Sequence, residues 1–297
     1  MMKLYAPEYY KDFVCIADKC KHSCCIGWEI DIDSDTMAKY RQYKGNYAKE
    51  LAESIDDSAE PCFKLDKNER CPHLDERGLC RLILNVGEDY LCHICREHPR
   101  FYNDTPQGRE VGLGMACEEA CRIILGSDKY MNILSVGECE GECDTELLDT
   151  PGYRAEIYAI LSDRTIAYLK RLDLIAEKYG LGNMPDIEIC LDLVNELEYL
   201  DCEHKKLFES FSWDAQISPK AELCLERALA YFVYRHLAEY YYKEDICQAV
   251  GLCLFLERMI ASLISSGIEP ATAARIVSEE IEYSEDNTEA VKRLLFE

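Results

Sequence analysis

Thirteen of the chain's eighteen cysteines fall before residue 144, opening with Cys15, Cys20 and the adjacent Cys24 and Cys25 and continuing through Cys62, Cys71, Cys80, Cys92 and Cys95. Sulfur this dense and this local leaves two kinds of structure, a disulfide scaffold or a set of thiols gathered round metal. Disulfide scaffolds belong to small secreted domains that cannot bury an adequate core. A chain of 297 residues, 48% of them hydrophobic, can build an ordinary core and does not need bridges in its place.

The opening MMKLYAPEYY has neither the apolar run nor the small-residue cleavage pattern of a secretory leader. No stretch reaches the roughly 18 uninterrupted apolar residues of a membrane helix, so no membrane span is expected. These features lead to the expectation of a cytoplasmic protein, in which thiols stay reduced and those at fixed spacings serve as metal ligands or redox groups. The net charge of −24 is spread evenly over the two halves of the chain. It leaves no basic patch for nucleic acid and favours basic partners, lysine-bearing proteins among them.

The chain changes character near residue 150. Residues 1–150 are punctuated by Gly, Pro and Cys, and residues 151–297 are nearly all helical in pattern. The expected fold is therefore mainly α, with an irregular, cysteine-rich, metal-binding N-terminal region (1–150) and an α-helical bundle (151–297), and without a Rossmann sheet. Helices are expected over 153–179, ending at Gly180, and over 220–243, opened by Ser218 and Pro219. Others are expected over 245–266, closed by Gly267, and over 270–282 and 287–295. Cys190, Cys202, Cys224, Cys247 and Cys253 read as core packing within these helices. Tyr231, Tyr234, Tyr240, Tyr241 and Tyr242 read as core plus a partly exposed aromatic groove.

In the first half the spacings carry the chemistry. Cys15-x4-Cys20-x3-Cys24-Cys25 packs four thiols into eleven residues, which suits a loop wrapped round a metal. Cys92-x2-Cys95 lets one turn of backbone present two sulfurs to one centre. Cys117-x3-Cys121 and Cys139-x3-Cys143 would each share a helix face if those segments are helical. Spacing alone does not choose the metal, because four thiolates suit zinc and iron–sulfur clusters alike. His22, His73, His93 and His98 read mainly as hydrogen-bonded structural groups, and Trp28 as a core residue over the cysteine loop.

The pieces FVCIADKCKHSCCIGWEIDID (13–33), CPHL (71–74), GLCRL (78–82), CREHPR (95–100) and GMACEEACRIIL (114–125) stand in one order. Together they resemble the flagellin lysine-N-methylase family of the FliB type, within the wider CxxCxxCC zinc- or iron-chelating (YkgJ-like) proteins. The resemblance is strong over about residues 4–125. It implies transfer of a methyl group from S-adenosylmethionine to ε-amino groups of flagellin lysines, with a 4Fe–4S cluster. It places the family's cysteine pattern on Cys15, Cys20, Cys24, Cys25, Cys71, Cys80, Cys95 and Cys117, with Cys20, Cys24 and Cys25 as the favoured cluster ligands. His73 stands where the family has phenylalanine, and Cys62, Cys92, Cys121, Cys139 and Cys143 are extra thiols. Asp31, Asp33, Glu118 and Glu119, close to the cysteines in sequence, are the candidate catalytic carboxylates. Gly112-x-Gly114 lacks the third glycine and the setting of a dinucleotide-binding turn. Two alternatives from other classes stay open: structural zinc in an adaptor that binds a basic partner, and an iron–sulfur redox protein.

Overall fold

The computed structural model describes residues 1–182 and 185–296. The chain divides into two units. The larger comprises Met1–Phe13, Phe101–Ala116 and the residues from Ala120 onward, and the smaller comprises Val14–Arg100 with Cys117–Glu119. The expected boundary at residue 150 therefore does not coincide with the division found. The reason lies in strand pairing, which ties the first residues and much of 101–139 to one sheet.

Among the described residues the strands are β1 (Met2–Pro7), β2 (Ile55–Asp56), β3 (Cys62–Phe63), β4 (Arg100–Thr105), β5 (Gly108–Leu113) and β6 (Ile133–Cys139). One sheet has the order β4-β5-β1-β6, and β2 and β3 form a separate pair. β1 runs parallel to β5, with Leu4 opposite Arg109 and Tyr5 opposite Glu110. It runs antiparallel to β6 from Met2–Cys139 to Pro7–Ile133, with an irregularity between Leu4 and Tyr5. The close approach of β1 to β5 needs Gly108, whose φ is +154° and where a Cβ would overlap the Lys3 carbonyl oxygen. This sheet was not anticipated, because its strands are short and paired across a hundred residues.

The rest of the larger unit is helical, and mainly α describes the chain. Lys243–Ser265 is buried on nearly every face and packs against Pro219–His236, Pro270–Val277 and Glu285–Phe296. By length and composition it is apolar enough to cross a membrane, but 89% of its apolar window is buried inside the fold, as in a core helix. Ser218 caps Pro219–His236 by accepting from Ala221 N, as the Ser-Pro pair predicts. That helix ends at His236, short of 243, which leaves Tyr241 and Tyr242 50% and 69% exposed outside it. The expected helix over 153–179 is two, Thr150–Leu161 and Tyr168–Lys178. The break falls where Asp163 Oδ1 accepts from Thr165 N (3.1 Å) and Thr165 Oγ1 (2.6 Å), a local turn that competes with helix. Pro270–Val277 continues into a π-helical turn, Ser278–Glu282. Ile187–Glu196 and Cys202–Phe208, capped by Asp186 and Asp201, are additional helices. Of the cysteines expected in the helical core, Cys190 and Cys253 are buried, Cys224 and Cys247 half-buried, and Cys202 exposed.

The smaller unit is built from short pieces. Ser34–Gln42, Ala48–Glu53, Arg81–Asn85 and His93–Glu97 are its α-helices, and single backbone bridges join Ile26 to Arg70, Asp31 to Cys62 and Leu74 to Cys80. Its core gathers Ile30, Ile32, Met37, Tyr40, Leu51 and Phe63 together with Cys71 and Cys92.

Candidate metal centre

The core of the smaller unit is also where thiols collect. Cys71 and Cys92 are buried in it, and Cys25, Cys80 and Cys95 pack against it. Cys71 N donates to the Cys25 carbonyl (2.9 Å), which joins the Cys24-Cys25 turn to the CPHL segment. The Leu74–Cys80 bridge folds CPHLDERGLC back on itself, fixed by Asp75 Oδ1 accepting from Arg77 N and Leu79 N (both 2.9 Å). Cys92 and Cys95 lie a turn apart, hydrogen-bonded to each other, and Cys92 Sγ is 3.4 Å from the Tyr40 hydroxyl. Five thiols that neighbour one another cannot all ionise. Burial raises Cys71 to about 12 and raises Cys80, and a hydrogen bond to Cys92 together with burial raises Cys95. The complementary partners fall: Cys25, hydrogen-bonded by Cys24, drops to about 7, and Cys92 is lowered by Cys95. A bound cation would reverse this repulsion and hold the thiols as thiolates.

A second group forms on the more open side of the same loop. Glu118 Oε2 accepts from Lys21 N (2.8 Å), His22 N (3.1 Å) and Cys20 Sγ (3.7 Å), which ties the 20–22 turn to the segment carrying Cys117. Burial lifts Cys20 to about 11, helped by the negative charge of Glu118 and Cys117. Cys24 is raised by its hydrogen bond to Cys25, by burial, and by the neighbouring charges of Cys117 and Cys15. Cys15 and Cys24 are exposed, and Cys20 and Cys117 are half-buried.

All eight cysteines of the family pattern therefore lie in the smaller unit. Cys25 neighbours Cys71, Cys80 and Cys95 as well as Cys24, to which it is hydrogen-bonded, and Cys20 and Cys24 neighbour Cys117, so the adjacent Cys24 and Cys25 link the thiols of the core to the more open ones. Cys92 joins the buried group although the family pattern omits it, and its x2 spacing from Cys95 is the signal that finds it. Cys139 ends β6 and Cys143 lies outside helix, so that pair shares no helix face. Cys121, inside Glu118–Gly126, points its thiol at the Ala271 carbonyl of the larger unit (3.4 Å).

The candidate carboxylates have distinct settings. Asp33 caps Ser34–Gln42 through Thr36 N (3.0 Å) and accepts from His93 N (2.8 Å). Burial pushes it up, but these N–H donors and the Thr36 hydroxyl outweigh it and hold it at about 2. Asp31 sits on the bridge to Cys62 and lines a groove of about 750 Å³ with Glu29, Asp33, Glu60, His93 and Ile94. Glu118 is engaged as described, and Glu119 is buried. His73 has both ring nitrogens occupied, Nδ1 by the Tyr47 hydroxyl (2.9 Å) and Nε2 by Ser54 Oγ (3.0 Å), and burial with Arg81 lowers it to about 4. His98, three residues past Cys95, is also lowered to about 4 by burial, and its buried Nε2 has no hydrogen-bond partner among the described residues. Trp28 is half-buried.

In the larger unit, Gly112 leaves room for the Phe101 ring and Gly114 for the Tyr283 hydroxyl, so these glycines serve packing. A buried constellation missed in the sequence surrounds Glu282, which meets Arg235 (3.2 Å), His236 (3.0 Å), the Tyr231 hydroxyl (3.0 Å) and Ser278.

No family model matches the chain, and no solved structure matches it. Among curated proteins, it is 28% identical over 138 residues to the lysine-N-methylases of Salmonella choleraesuis and Salmonella typhimurium, covering 42% of this chain and 33% of each relative. It is 27% identical over 167 residues to the flagellar biosynthetic protein FliU of Salmonella muenchen, covering 52% of this chain and 94% of that protein. The match thus spans about a third of the length of the two lysine-N-methylases. These relatives support the resemblance to the flagellin lysine methylases read from the cysteine motifs.

Proposed function

From these relatives, we propose that the chain is a protein-lysine N-methyltransferase that moves the methyl group of S-adenosylmethionine to lysine ε-amino groups of flagellin. In this reading the smaller unit holds a 4Fe–4S cluster. The observation that carries it is the gathering of Cys15, Cys20, Cys24, Cys25, Cys71, Cys80, Cys95 and Cys117 in that unit, which holds most of the family motifs. Thiolate sulfur is the donor that iron–sulfur clusters take. When bound, an iron with an open position would supply a place for the amino and carboxylate groups of the cofactor's methionine part.

The chain's own residues have the remaining tasks. The groove lined by Glu29, Asp31 and Glu60 offers carboxylates to a protonated lysine side chain, in keeping with the overall charge of −24. In a polar transfer the amine must be neutral to attack. The N–C bond forms as the C–S bond breaks, sulfur keeps the electron pair, and a base removes the proton left on nitrogen. Asp31, Asp33, Glu118 and Glu119 are the proposed pool for that base. Asp33 and Glu118 already accept backbone N–H donors, which leaves Asp31, on the groove wall, as the first to test. The protein would work in the cytoplasm, where reductants keep its eighteen cysteines as thiols.

Anaerobic protein incubated with S-adenosylmethionine, reductant and flagellin is expected to raise the flagellin mass in steps of one methylene, and Cys24→Ser to abolish the gain. Flagellin of unchanged mass in the presence of an intact cluster would favour the redox protein instead. Burial of Cys71 and Cys92 in the core also fits a closed structural zinc site. Colourless protein with stoichiometric zinc would establish that second reading, an adaptor for a basic partner.

A further inference from the structure

Two hollows adjoin on the smaller unit, and their chemistry differs. On the larger, of about 750 Å³, Glu29, Asp31 and Glu60 stand exposed beside an apolar wall that includes Ile32, Met37 and Pro61. The smaller, of about 160 Å³, is lined by Met37, Tyr40, Leu51, Ala52 and Ile55, and Met37, Tyr40 and Leu51 belong to the apolar core beneath it. Met37 and Arg41 line both, so the hollows meet across one turn of the Ser34–Gln42 helix. Charge separates them. Among the described residues on the groove wall, Arg41 is the one permanent cation against Glu29, Asp31, Asp33 and Glu60. Its guanidinium is turned to Asp57 on the wall of the smaller hollow, Nη2 to Oδ2 at 2.9 Å. The groove is thus left with an excess of negative charge. The smaller hollow has its single carboxylate matched, and Tyr40 directs its hydroxyl away to the Tyr90 carbonyl (2.7 Å), which leaves the rest of its wall apolar.

We propose that the two hollows form one paired recognition site for an extended protein segment that carries a lysine within a few residues of a large aliphatic side chain. The ammonium group lies against Glu29, Asp31 and Glu60, and the aliphatic chain fills the hollow between Tyr40, Leu51 and Ala52. This deepens the function proposed above and rests on its reading of the acidic groove as the place that receives lysine. The groove by itself accepts any basic segment, because charge attraction is not selective for the neighbours of the charge. The hollow beside it adds the selection: it desolvates one side chain completely, as the anchor pockets of protein interfaces do. Its size suits one leucine, isoleucine or methionine and no second residue.

Binding of fluorescent peptides to the intact chain, read by anisotropy without S-adenosylmethionine, tests this. The peptides are Gly/Ser chains with one lysine and one leucine a few positions apart. Replacing the leucine by alanine, or the lysine by glutamine, is expected to raise Kd about tenfold in each case. Added salt is expected to remove the lysine preference and spare the leucine one. Ala52→Leu, at an exposed helical position on the wall of the smaller hollow, fills it and is expected to abolish the leucine preference alone. Glu29→Gln/Glu60→Gln is expected to abolish the lysine preference alone. If a variant fails to fold, the peptide series on the wild-type chain decides by itself. Wild-type affinity indifferent to either side chain, or a leucine preference untouched by Ala52→Leu, overturns the paired site. So does a lysine preference untouched by Glu29→Gln/Glu60→Gln, which would belong to the general charge of −24. No binding by any peptide overturns it too. A chain with both preferences that adds no methyl group to flagellin keeps this site and loses the methyltransferase. One that methylates flagellin without a leucine preference keeps the enzyme and loses this site.

Discussion

Glu118 shows how much one side chain can organise. Its Oε2 collects two backbone N–H groups and the Cys20 thiol across nearly a hundred residues of chain, and so ties the 20–22 turn to the segment that carries Cys117. Glu118→Ala is expected to weaken metal binding by roughly 10–100-fold, the usual effect of losing an outer-shell partner, as read by chelator competition. Affinity equal to wild type would show that the turn holds itself. Asp33 makes a different prediction. Its carboxyl is held at about 2, below its ordinary 3.8, so it contributes stability that is present above 3.8 and lost as the pH falls through about 2. Asp33→Asn keeps a helix cap but removes the charge. Its unfolding free energy is therefore expected to vary less steeply with pH over that window, as denaturant titrations can measure, and a slope identical to wild type would sink the assignment. At this scale the sequence was legible where chemistry is local: the thiols stand in their motifs, and Ser218 caps as its Ser-Pro pair predicts. The grouping of the thiols was not legible. That the Cys24 and Cys25 thiols meet depends on a turn, and that Cys117 lies beside Cys24 depends on a segment far along the chain.

Among elements, β5 and the Thr150–Leu161 helix are joined by a buried ion pair, Glu110 Oε2 to Arg154 Nη1 at 2.8 Å, with the guanidinium over the Tyr234 ring. Breaking such a pair strands a charge. Glu110→Ala is expected to cost about 3–5 kcal/mol, while Glu110→Met/Arg154→Met recovers most of that loss, as measured by urea unfolding. A double variant no better than the single one would mean that the pair itself supplies the stability. The Lys243–Ser265 helix makes the complementary case for apolar packing. Phe255, fully buried against Phe211 and Trp213, is expected to cost about 3–5 kcal/mol when cut to alanine. Helix periodicity found this element within two residues of its ends, because apolar repeats and the closing Gly267 are local signals. The break at Asp163 and the sheet β4-β5-β1-β6 escaped notice for the opposite reason. A side chain bonding its own turn and strands pairing over long separations leave little trace in a window of neighbouring residues.

At the level of the molecule the two units differ in what holds them. The larger has a continuous apolar core along Pro219–His236 and Lys243–Ser265. The smaller has short helices, two-residue strands and a core partly made of thiols. If the smaller unit holds the proposed metal, stripping it with a chelator under reducing conditions is expected to raise amide exchange across 14–100 while 219–265 keeps its protection, because a metal held by core thiols would couple its binding to folding. Uniform protection with and without metal would show the smaller unit to be stable on its own. The division of the chain could not be read from composition, which changes at residue 150, whereas the fold is divided by the pairing of β1 with β5 and β6. That arrangement also orders events during synthesis. Cys25, Cys71, Cys80, Cys92 and Cys95 all precede β5 and β6 in the chain, so they leave the ribosome before either partner of β1 does. A nascent chain of about a hundred residues thus already carries every thiol of the smaller unit's core, while its first strand still lacks both of its partners.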